Sequence, residues 1–188
     1  RDRRGGARSR RRGIMVRAAL GRRTGSLASG PRPGADYVPA LSVLFATGLV
    51  MLPIVSSHGW WPNFGLLMLL AWRLLRADVW PAWIGAPLGF VNDLLTGTPL
   101  GLSVALWTAF LLAMDVIDRR TMWRDYWIEW ALAALFITIA ELAQWRAAAA
   151  GGAPVRLATV WPAILVATLT FPIAGMIAAR LDRWRLGQ

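Results

Sequence analysis

The stretch Gly89-Phe-Val-Asn-Asp-Leu-Leu-Thr-Gly-Thr-Pro-Leu-Gly101 sets the problem. An apolar segment takes in the polar pair Asn92-Asp93 and closes on a turn marked by Gly97, Pro99 and Gly101. Asp93 is the only formal charge between Val79 and Met114. Outside the stretch the chain is of the same kind. Tyr37 to Trp72 and Leu157 to Ala179 carry no Asp, Glu, Lys or Arg, and 56% of the 188 residues are hydrophobic, with 12 tryptophans. A helix that crosses a bilayer needs about 20 mainly apolar residues. These runs exceed what a soluble domain of this length can bury, so an all-α integral membrane protein is expected.

The apolar runs divide into six expected helices, at 38–56, 60–76, 79–96, 100–117, 126–147 and 157–180, packed as a compact transmembrane bundle over residues 37–188. Ser56 to Asn63 supplies the first turn. Pro62, Pro81 and Pro87 mark the second and third helices as short, tilted or partly inserted. With the N-terminus inside, the cytoplasmic segments carry 19 arginines and the outer loops only Arg146 and Arg156. This asymmetry places both termini in the cytoplasm. Trp60 and Trp61 at the outer surface, and Trp72, Trp80, Trp123, Trp127 and Trp184 at the inner one, are expected to form interfacial belts.

The net charge of +11 does not indicate nucleic acid. Eleven of the 21 arginines lie in residues 1–36, with no interleaved aromatics for base stacking. This segment reads as a disordered cytoplasmic tail drawn to anionic lipid. Met15 is expected as the native start, with the preceding residues an upstream extension of the reading frame.

Chemistry-bearing side chains are few. There is no cysteine and the single histidine is His58, so zinc ligation and thiol catalysis lack their ligands. No phosphate-binding glycine loop or dinucleotide fingerprint occurs, and no catalytic, cofactor or metal site is expected. Asp93 and Glu141 are the intramembrane carboxylates. Counted outward from the inner ends of their helices, Asp93 lies at about 21 Å and Glu141 at about 22 Å. Gln144 is one turn further, and Arg146 and Arg156 flank the same level. An outer polar cluster of Asn92, Asp93, Glu141, Gln144, Arg146 and Arg156 is therefore expected, joining the third, fifth and sixth helices at a partner interface or cavity. Gly85 and Gly89, with Ala82 and Ala86 beside them, should let another backbone approach closely.

With LLMLLAWRLLRADVWPAW before it and ALWTAFLLAMDVIDRRTMWRDYW after it, the D-L-L-T-G-x-P-L-G core resembles that of the MreD family of bacterial rod shape-determining membrane proteins. The resemblance runs from about Val38 to Ile177 and leaves the arginine tail outside. Ala77-Asp78 departs from the Pro-acid pair expected there, and Asn92 stands where relatives often carry an acid. The resemblance implies a non-enzymatic scaffold of the cell-elongation complex (the elongasome) in the inner membrane, which helps to organise peptidoglycan synthesis and cell shape. Its implied partners are MreC, a single-span protein, the glycosyltransferase RodA with its class B transpeptidase, and MreB on the cytoplasmic side. The implied fold is similar to that of the substrate-binding subunits of ECF vitamin transporters. Such a subunit, with a small molecule in the cavity, is the alternative reading. An intramembrane lipid transferase, resting on Asp93 and Glu141 alone, is a third.

Overall fold

The computed structural model describes residues 34–52, 61–120, 125–152 and 156–186. His58, Trp60, Trp123 and the arginine tail up to residue 33 lie outside them. Among the described residues the chain is all-helical, without strands. The α-helices are α1 (Val38–Gly48), α2 (Phe64–Leu75), α3 (Gly85–Thr96), α4 (Leu102–Arg120), α5 (Tyr126–Ala150) and α6 (Val160–Leu186). Single 3-10 turns flank α1 at both ends and precede α3 and α6.

Local chemistry explains the boundaries. Asn63 caps α2 by accepting the Leu66 N–H at 3.0 Å, which satisfies one of the free donors of a helix N-terminus. Pro81 holds extended backbone (ψ 151°) before the turn Ala82–Ile84, so α3 begins at Gly85 instead of at 79. Pro87 falls in the first turn of α3, where no intrahelical N–H bond is lost. The helices expected at 38–56, 60–76 and 79–96 are shorter, at 11, 12 and 12 residues, the first giving way to the 3-10 turn Leu49–Met51.

α2 is the axis of the bundle, with Gly65 through Leu74 all buried. α1, α4, α5 and α6 pack around it, and α3 pairs most extensively with α4. Gly85 and Gly89 make that pairing possible. A Cβ at Gly89 would lie 2.5 Å from the Ser103 carbonyl oxygen, and one at Gly85 would lie 2.8 Å from the Thr108 nitrogen. Phe110 of α4 stacks on Phe136 of α5 with ring centroids 4.7 Å apart.

α5 and α6, at 25 and 27 residues, are long and apolar enough to cross a membrane. Only 22% and 33% of their most apolar windows are buried, so most of their apolar surface faces outward from the bundle. Leu165, Leu169, Ile173 and Met176 form an exposed apolar stripe along α6. Leu41 and Phe45 on α1, and Leu112 and Val116 on α4, are also exposed. Two tryptophans expected at the inner interface are instead core residues. Trp72 is fully buried and donates its indole N–H to Ser42 Oγ at 2.7 Å, and Trp80 is buried in the same core cluster. Trp127 and Trp184 are exposed.

Pro172 stands inside α6. It has no N–H, so the Thr168 carbonyl four residues earlier loses its usual helical donor. The Trp130 indole N–H of α5 bonds that carbonyl at 3.3 Å, which repairs α6 and ties it to α5. Trp130→Phe should cost about 1 kcal/mol, the usual net worth of such a bond. In a Pro172→Ala background, where the helix supplies its own donor, the cost should fall; thermal denaturation of the four proteins of the cycle reads the difference.

Candidate functional site

The opening stretch folds into a self-contained lock between α3 and α4. Gly97 ends α3 in the left-handed region (φ 69°), and Gly101 takes φ 98° just before α4. The chain thereby reverses within five residues, which leaves the first N–H groups of α4 without helical partners. Gly101 has no side chain to cap them. Asp93, 1% exposed, does so from the preceding helix. Its carboxylate accepts the Gly101 N–H at 2.8 Å and the Ser103 N–H at 3.0 and 3.2 Å, along with the Thr98 hydroxyl at 2.7 Å. The charge sits at the positive end of the α4 dipole. Asn92 adds a second tie by donating to Ser103 Oγ at 2.9 Å, and Thr96 donates to the Asn92 carbonyl at 2.7 Å.

The expected single polar cluster is therefore two separate arrangements. Every side-chain hydrogen bond of Asp93 among the described residues comes from positions 98 to 103, and none comes from Glu141, Gln144, Arg146 or Arg156. The physical reason is proximity: the unpaired N–H groups of the next helix are held closer than any guanidinium. Arg146 lies exposed, its guanidinium 5.5 Å from the ring centroid of its neighbour Trp145. Arg156 is exposed in the turn before α6.

Glu141 and Gln144 instead line two adjoining cavities next to the Asp93 turn. One, of about 290 Å³, lies among Thr47, Trp61, Asn63, Phe64 and Thr96. The other, of about 430 Å³, lies against Gly97, Thr98, Pro99, Trp145 and Ala163. The ends of α1, α3 and α5 and the starts of α2 and α6 thus meet at one end of the bundle. No group of three or more metal-ligating side chains occurs among the described residues.

The opposite end holds a charged network that the sequence reading missed. Arg73 of α2, 2% exposed, bonds Asp115 and lies 2.8 Å from Asp118, both on α4. Arg76 pairs with Asp182 of α6 at 3.1 Å, and Arg185 pairs with the same Asp182 at 3.1 Å. The Arg185 guanidinium also lies over Trp72, 5.8 Å from its centroid. A signal was present in the spacing of Asp115 and Asp118, which puts two carboxylates on one helix face. Reading Arg73 and Arg76 only as membrane-flanking charge concealed it.

No protein-family model, curated protein or solved structure matches the chain.

The Asp93 geometry separates two substitutions. Asp93→Asn replaces one acceptor oxygen by an NH2 group that faces an N–H or hydroxyl donor, at a cost of about 1–3 kcal/mol. Asp93→Leu strands all the donors and should cost more. The melting temperature in detergent should fall in the order wild type, Asp93→Asn, Asp93→Leu, while Arg146→Gln should leave it unchanged.

Proposed function

We propose that the chain is a multi-pass inner-membrane scaffold of the MreD type, with six spans and both termini in the cytoplasm. In this reading it binds the single membrane helix of an MreC-like partner and helps to organise peptidoglycan synthesis during cell elongation, without catalysing a reaction. The observation that carries the membrane part is the pair α5 and α6, apolar, long enough to cross and largely unburied. Exposed apolar surface on this scale marks contact with lipid or with another apolar surface. The short α1, α2 and α3 are consistent with spanning, because non-helical backbone at membrane depth is tolerated where protein covers it. The ion pairs at the ends of α2, α4 and α6 match the arginine-rich side expected to be cytoplasmic. The MreD assignment itself rests on the D-L-L-T-G-x-P-L-G core and its flanking segments. In this proposal RodA, its transpeptidase and MreB are reached through the assembled complex, and the arginine tail meets anionic lipid.

One observation favours the alternative, a binding subunit of an ECF-type transporter: the polar cavities at the Glu141 end. Affinity purification of the full chain from its native membrane separates the two readings. A scaffold brings down a single-span protein with an extracytoplasmic domain, whereas a transporter subunit brings down an ATPase module. Topology is tested by reporters active only outside the cytoplasm, fused after His58, Thr98, Gly151 and Gln188. Activity is expected at the first three; activity at Gln188 would refute six spans.

A further inference from the structure

The cavities at the end of α5 are lined by one carboxylate and by hydroxyl and amide groups, the Asn63 and Gln144 amides being able to donate as well as accept. Glu141 is the only formal charge among their described lining residues, and neither it nor Gln144 is engaged by another described residue. The threonines around them have already committed their protons. Thr47 donates to the Val43 carbonyl at 2.9 Å, Thr96 to the Asn92 carbonyl at 2.7 Å and Thr98 to Asp93 at 2.7 Å. A hydroxyl has one proton and two lone pairs, so all three offer only lone pairs to the space they line. Trp61 and Phe64, with ring centroids 6.2 Å apart, add aromatic surface on one side. An anion entering here would meet a carboxylate and no cation among the described lining residues.

We propose that these adjoining cavities bind an alkylammonium group, carried by a small free amine or by an aminophospholipid headgroup. The ammonium brings positive charge to Glu141 and N–H donors to that carboxylate and to the threonine lone pairs of the cavity it occupies. Its alkyl portion packs on Trp61 and Phe64, where a cation near an aromatic face gains further attraction. A volume of about 290 Å³ is at the small end for ligand pockets and suits a short amine or a headgroup better than a bulky cofactor. The inference is independent of the scaffold reading, since it concerns the cavities at the end of α5 and not the outer helix faces.

The test uses the full chain and two probes. In detergent, ethylammonium chloride is titrated against sodium chloride at matched ionic strength, with the melting temperature as readout. In nanodiscs, phosphatidylethanolamine is compared with phosphatidylglycerol alone. Stabilisation by ethylammonium assigns the site to a free amine; stabilisation only by phosphatidylethanolamine assigns it to the lipid. In either arm Glu141→Gln should weaken the effect about tenfold or more, because a charge-assisted bond becomes a neutral one. Gln144→Leu, which removes the neighbouring acceptor, gives the same reading if Glu141→Gln fails to assemble. No stabilisation by either probe, or a Glu141→Gln protein that titrates like wild type, would overturn the proposal.

Discussion

The bond between a buried carboxylate and the first amides of the helix that follows it organises one whole end of this molecule. Asp93 is withdrawn from solvent, and an ion so placed is stable only when donors surround it. The turn supplies them: two backbone N–H groups and a hydroxyl, all within 3.2 Å. The same bonds compensate for the missing side-chain cap of α4. Each partner thus needs the other, and α3 and α4 are held at a fixed crossing. The glycine contacts at 85 and 89 are the packing counterpart of that constraint. Thr96, Thr98 and Pro99 are then placed as one wall of the Glu141 cavities.

The other end follows the same logic with different chemistry. Arg73 is a buried guanidinium answered by two carboxylates from one face of α4, and Asp182 is shared by Arg76 and Arg185. Removing one member of such a group leaves an uncompensated charge, which is the costly event. Between the two polar ends the helices meet through apolar side chains, and the outward surface of α6 is an apolar stripe. A soluble bundle shares the apolar interior but has polar outer helix faces.

The sequence made some of this legible and hid the rest for physical reasons. The order of the helices followed from charge-free runs, and α4, α5 and α6 begin within three residues of their expected starts. The turn was readable because Gly97 and Gly101 adopt backbone conformations that side chains disfavour. The partners of Asp93 were not. Equal depth along separate helices pointed to Glu141, whereas a hydroxyl five residues on and unpaired amides eight and ten residues on captured the carboxylate. Trp72 and Trp80 were read as interfacial from their place near arginines. Trp72 lies under the Arg185 guanidinium of α6, a neighbour that periodicity along one helix does not encode. Likewise the donor that Thr168 needs beside Pro172 comes from Trp130, 38 positions earlier.

The proposal of a membrane protein requires that the apolar outer faces lie in lipid while the polar groups are gathered at the two ends of the bundle. The chain has no cysteine, so single spin labels can be introduced without background. With labels at Leu165, Leu169 and Ile173 in reconstituted bilayers, power-saturation measurements compare collision with oxygen, which concentrates in hydrocarbon, and with a water-soluble nickel chelate. High oxygen and low nickel accessibility at all three positions is the expected result. Nickel accessibility equal to that of an aqueous site at Leu169 would place the stripe in water and contradict the account.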